Sequence, residues 1–257
     1  MPRGRFYGPK EIQTGLFRVG LFYVFFIIFS IYYTYLIVQG GYQYILLSSL
    51  SNPLSVTILV CFETGGIIGM ETSLLFVATI PDKNGNPYGL YFSSIVLITY
   101  LVLAFYVVPG IVKIRRGFSN YPKEVRIGRL GASLILVCIL LYMISFGYLV
   151  LSLNYIVPPV DFSLFAYSFL LITLLYTIGQ LLLGIGIYRL GRLYRSGLLK
   201  VGGALIAMPV THFIPFIGYI LSRLGMEEVT GYRDKDTTRY GGRRKRFFHK
   251  RNLLLLK

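Results

Sequence analysis

Glu63 and Glu71 are the carboxylates best placed to do chemistry in this chain. Each begins a Glu-Thr pair inside an otherwise apolar stretch, Cys61-Phe-Glu-Thr-Gly-Gly-Ile-Ile-Gly-Met-Glu-Thr-Ser73. In a helix, eight residues turn through about 800°, which leaves the two carboxylates about 80° apart and two turns distant, on roughly one side. A carboxylate at the bilayer centre costs about 2.5–3.5 kcal/mol on insertion scales, so it lines water, pairs or stays protonated. Two readings stay open. One is a proton or cation site built on Glu63 and Glu71; the other is an interfacial or re-entrant segment that leaves both groups in headgroup water. Gly65 and Gly69 form a small-x-x-x-small pair that lets another backbone approach closely.

A second polar point lies in Val201-Gly-Gly-Ala-Leu-Ile-Ala-Met-Pro-Val-Thr-His-Phe-Ile-Pro-Phe-Ile-Gly-Tyr219, where Thr211 and His212 stand between Pro209 and Pro215. Broken membrane helices expose carbonyls and can build substrate sites. The only other histidine is His249, so neither a metal nor a paired-histidine haem is expected here, and a cross-helix hydrogen bond is the plainer role for His212. No cofactor is expected elsewhere. The chain lacks a phosphate-binding Gly-rich loop with its Lys, a nucleophile elbow, a His-Glu-x-x-His and a Cys-x-x-Cys, which argues against an enzyme.

The third feature is the tail. Arg243, Arg244, Lys245, Arg246, Lys250 and Arg251 surround Phe247 and Phe248 and precede four leucines. Such a cluster attracts anionic headgroups at about 1 kcal/mol per basic residue, while the aromatic and aliphatic residues dip into the interface. A protein partner or a nucleic acid is the alternative, the nucleic acid being the less favoured.

The elements that position these residues follow from where charge is missing. The chain is 55% apolar and only 14% charged, far oilier than a soluble domain. Its charge-free stretches are Val19–Phe62, Asn84–Val112, Leu130–Val160, Phe162–Tyr188 and Val201–Ser222. Each can supply the roughly 20 apolar residues that cross about 30 Å of hydrocarbon. Continuous runs such as Leu21-Phe-Tyr-Val-Phe-Phe-Ile-Ile-Phe29 do not alternate, so the spans are helical and no β-barrel is expected. The expected fold is therefore all-α, a polytopic transmembrane helical bundle of five to seven membrane-embedded segments, some of them re-entrant. It comprises a basic N-terminal tail (1–18), a helical domain (19–224) and a basic C-terminal tail (225–257). The first run is too long for a signal peptide and reads as a retained signal-anchor. Cys61 and Cys138 both lie inside apolar runs and carry no redox message. Tyr142 and Tyr148 fall inside a run and are expected to pack between helices.

Lys and Arg are retained on the cytoplasmic side. They collect before the first span, in Lys113–Arg129, in Arg189–Lys200 and after Ser222, while Gln39–Asn52 and Ser152–Phe162 carry none. The stretch Gly131–Tyr188 is thus a two-helix hairpin with both basic ends inside and the Pro158-Pro159 turn outside. Before it the count is open. Three crossings, a returning Leu54–Ile80 segment and four crossings all fit the apolar pattern. Val201–Ser222 either spans once or re-enters, broken at Pro209 and Pro215. The all-even arrangement leaves only Lys83 outside.

The stretch Gly184-Ile-Gly-Ile-Tyr-Arg-Leu-Gly-Arg-Leu-Tyr194, then Leu199-Lys-Val-Gly-Gly-Ala-Leu205, then Ile217-Gly-Tyr-Ile-Leu-Ser-Arg-Leu-Gly-Met-Glu227, resembles the closing part of an archaeal membrane-protein family, domain of unknown function 973. Glu11-Ile-Gln-Thr-Gly-Leu-Phe-Arg-Val-Gly20 is loosely similar to that family's opening. These motifs are helix ends, and the stretch around Glu63–Glu71 and the Arg-rich tail lie outside the resemblance. It implies a thermophilic archaeon and a multi-pass protein of the cell membrane, with no known activity and no catalytic residues to carry over.

Sparse intramembrane polarity joined to a large basic surface points to a non-enzymatic membrane assembly or accessory subunit, its partners being anionic lipid and other membrane-protein subunits. The alternative is a small proton- or cation-linked transporter or channel using Glu63 and Glu71. Close helix packing is expected at Gly65, Gly69, Gly184 and Gly186, since lipid gives helices no hydrophobic reason to associate.

Overall fold

A computed structural model describes residues 7–40, 101–153, 162–208 and 214–231. Those residues are helical apart from short turns, and among them there is no strand. Helix α1 is Tyr7–Gly40. A π-helical turn, Leu103–Val107, leads into α2, Val108–Ser119. Helices α3, Ile127–Leu153, and α4, Phe162–Tyr194, follow. The short α5, Gly197–Ala207, precedes α6, residues 214–231.

Proline and capping chemistry set several boundaries. Pro109 has no N–H for the carbonyl four residues back, and its ring crowds that carbonyl. The carbonyl belongs to Phe105, inside the π-helical turn, so the widened turn absorbs the mismatch and the helix continues. At the end of α4 the Ser196 N–H donates to the Gly191 carbonyl (3.0 Å) and the Arg195 N–H to Arg192 (3.4 Å). This is a Schellman closure with Arg195 at the left-handed position, φ 57°. Ser196 then caps α5, its Oγ accepting from the Leu199 N–H (3.4 Å) and contacting a Glu228 carboxylate oxygen (3.4 Å).

Successive helices run antiparallel, and glycine fixes how closely. A Cβ on Gly15 would stand 2.5 Å from the Gly110 carbonyl oxygen, and one on Gly8 3.2 Å from that of Gly117, so α1 and α2 face each other head to tail. Between α3 and α4 a Cβ on Gly131 would lie 2.6 Å from the Gly179 carbonyl oxygen, and Gly186 abuts Gly128. Gly184 opposes Gly203 between α4 and α5, and Gly202 opposes Gly218 between α5 and α6. The expectation for Gly184 and Gly186 is therefore met, whereas Gly65 and Gly69 lie outside the described residues. Tyr23 of α1 stacks on Tyr219 of α6 with ring centroids 5.6 Å apart, which brings the last described helix against the first.

The outward and inward faces differ in an informative way. On α3 the buried positions Ile135, Cys138, Ile139 and Tyr142 alternate with exposed Val137, Leu140, Leu141 and Ile144. On α4 the buried face includes Thr173, Tyr176 and Gln180, while Leu170, Leu171, Leu174, Ile178 and Leu181 are exposed. The outside is thus at least as apolar as the inside, unlike an amphipathic surface helix. Two helical segments, Ile127–Ser145 and Tyr167–Tyr194, are long and apolar enough to cross a membrane. Tyr142 is buried as expected for a packing residue, but Tyr148 is 45% exposed and stands on the outer face.

Candidate functional site

Two features are built by this arrangement: a polar level inside the bundle and a basic end.

The polar level centres on Tyr176. Thr173, Tyr176 and Gln180 recur at helical spacing on the inner face of α4, and each is buried. Tyr176 interacts electrostatically with the phenols of Tyr23 and Tyr219, both fully buried, so α1, α4 and α6 meet here. Phe216 flanks Tyr23 with ring centroids 6.2 Å apart. Among the described residues no side chain that normally carries a charge belongs to this group. One turn after Tyr219, Ser222 is buried against Gly202 of α5.

The basic end follows from the antiparallel order. The start of α1, the end of α2, the start of α3, the end of α4, the start of α5 and the end of α6 all lie together. Every Lys and Arg of the described residues falls in that half of its helix, α2 being counted with the helical residues 101–107 that lead into it, or in the turns at that end. Ties across it hold the helix ends in place. Arg189 Nη1 donates to the Glu124 carbonyl (2.7 Å), Arg126 Nε donates to the Tyr121 carbonyl (2.8 Å), and the Tyr121 and Tyr194 hydroxyls are 3.1 Å apart. Two of the cations lie over rings: Arg18 over Tyr106, 5.8 Å from its centroid, and Arg223 over Phe17, 4.3 Å away. A ring face holds a cation without a counter-charge. The acidic residues of this region, Glu11, Glu124, Glu227 and Glu228, are few, and among the described residues none forms an ion pair with the basic groups. The basic end thus carries an excess of positive charge among the described residues.

Glu63 and Glu71, Thr211 and His212, and the tail cations Arg243, Arg244, Lys245, Arg246, Lys250 and Arg251 all lie outside the described residues. Among the described residues no group of three His, Cys, Asp or Glu is placed to hold a metal ion. The inner tyrosine–glutamine level was missed because its members look like ordinary span residues. The signal that was available is the i, i+3, i+7 spacing of Thr173, Tyr176 and Gln180 among leucines, which puts the polar groups on one face.

No curated protein and no solved structure matches the chain. A family model described as a protein of unknown function (DUF973) matches residues 8–245, so the likeness first seen in the closing helices extends through Glu63, Glu71 and the start of the Arg-rich tail. By that match along nearly its whole length, the chain belongs to the DUF973 family.

Proposed function

We propose that this chain is a polytopic membrane protein whose basic end faces the cytoplasm, and that it works as a non-enzymatic assembly or accessory subunit. The single observation that carries this reading is the gathering of every described Lys and Arg at one end of an antiparallel bundle. Basic residues are retained on the cytoplasmic side. The outward leucines and isoleucines of α3 and α4 suit hydrocarbon, which needs no polar outer face. Gly40 and Leu101 lie at the opposite end because α1 and α2 are antiparallel, which supports an even number of crossings before Lys113. The antiparallel α5 and α6 support re-entry over Val201–Ser222. An 11-residue α5 rises only about 16 Å, too short to cross about 30 Å of hydrocarbon. The uncompensated cations, with the tail beyond them, then grip anionic headgroups or an acidic partner subunit.

Single cysteines at Lys123, Gly197 and Leu151, in a cysteine-free background, test the arrangement. With impermeant thiol reagents on sealed vesicles, Lys123 and Gly197 are expected to label from one side and Leu151 from the other. Labelling of Lys123 and Gly197 from opposite sides would overturn it. The subunit role predicts a stoichiometric partner in mild detergent. Partner-free protein that carries protons in proteoliposomes, with the flux lost in Glu63→Gln, would instead assign the transport alternative.

A further inference from the structure

Several hydrogen-bonding groups that neighbour Tyr176 at the polar level are buried without a partner. Gln180 is 1% exposed, yet neither its amide oxygen nor its nitrogen is hydrogen-bonded. The Thr173 hydroxyl and the Tyr219 phenol oxygen are likewise buried without a hydrogen-bond partner, while the Tyr23 phenol meets that of Tyr176. A local way out exists: Thr177, one turn on, donates to the Thr173 carbonyl at 3.0 Å, as serine and threonine commonly do in helices. Thr173 does not take it. Each such group left dry is destabilising, and several together are a heavy load for a marginally stable fold. Leucine or phenylalanine at these positions would fill the space without that cost.

Threonine and tyrosine each donate and accept, and the glutamine amide donates two hydrogen bonds and accepts two. None is charged at neutral pH. We infer that Thr173, Gln180 and Tyr219, with Tyr23 beside them, hold small uncharged hydrogen-bonding molecules along the inner face of α4: water, or a small polyol presenting the same hydroxyl chemistry. An ion is disfavoured, because among the described residues no counter-charge lies at this level, and the nearest cations on α1 and α6, Arg18 and Arg223, lie over rings.

Radiolytic hydroxyl labelling of the full chain in lipid nanodiscs, read by mass spectrometry, tests the site. A molecule of water held beside a residue is converted to hydroxyl radical in place, so burial from bulk solvent does not prevent labelling. Tyr23 and Tyr219 are expected to label well above Phe118, which is equally buried but has no polar atom, after correction for intrinsic reactivity. In Gln180→Leu combined with Thr173→Val the excess should vanish. Equal labelling of Tyr219 and Phe118 in the wild-type chain would overturn the inference, and that comparison stands whether or not the double variant folds. Equilibrium binding of radiolabelled glycerol then separates the sources. Saturable uptake lost in the double variant assigns a polyol; labelling without saturable uptake assigns resident water.

Discussion

Glycine contacts make a sharp claim about what holds this bundle together, and Gly184→Ala tests it. The added methyl would lie 2.5 Å from the Ala207 nitrogen, 2.6 Å from the Gly203 carbonyl oxygen and 2.7 Å from the Ala207 Cβ. Ordinary contact begins near 3.4 Å, so α5 must retreat by most of an ångström. Backbone atoms cannot swing aside as a side chain can. Overpacking costs about 1–3 kcal/mol, and the rigid obstacle puts Gly184→Ala at the upper end. Alanine is also the better helix former by about 0.5–1 kcal/mol, which offsets part of the loss. Gly20→Ala isolates that second effect, because a Cβ there meets only Tyr219 Cβ at 3.9 Å. The two variants should therefore move in opposite directions: Gly20→Ala up by about 0.5–1 kcal/mol and Gly184→Ala down by about 1–2 kcal/mol net. The assay is thermal unfolding in mild detergent followed by far-UV circular dichroism, with both variants and wild type in one lipid and detergent mixture. A Gly184→Ala protein as stable as wild type would refute close backbone packing between α4 and α5, and shifts of the same sign would refute the reasoning as a whole.

Two further outcomes follow from the turn between α4 and α5. Arg195→Gly removes a left-handed strain worth about 1 kcal/mol from the Schellman closure, part of which returns as unfolded-state entropy, so a rise in the same unfolding midpoint is expected. No rise would mean that the Arg195 side chain makes a compensating contact. Ser196→Ala deletes the cap of α5 and should cost about 0.5–2 kcal/mol, read as a lower midpoint, whereas Ser196→Asn should retain most of the stability.

The sequence determined the helical class and where charge collects. Long apolar runs free of charge and without alternation read as helices, and clumped Lys and Arg mark which ends belong together, because both properties are sums over local residues. It also marked Gly184 and Gly186 as contact points, since a missing Cβ is visible in the letters. It named candidate chemistry at Glu63, Glu71, Thr211 and His212, residues that stand out because a charge or a broken helix is conspicuous in an apolar run. Tertiary structure decided what local reading leaves open. The direction of each helix depends on its partner, so only the pairings of Gly15 with Gly110 and Gly8 with Gly117 show that α1 and α2 are antiparallel, and only that of Gly202 with Gly218 shows that α5 is answered by α6. The buried tyrosine–glutamine level is decided in the same way. Tyr23, Tyr176 and Tyr219 lie far apart along the chain, each unremarkable among neighbours that resemble it, and the unmet hydrogen bonds of Thr173, Gln180 and Tyr219 arise only when the helices exclude water from that level.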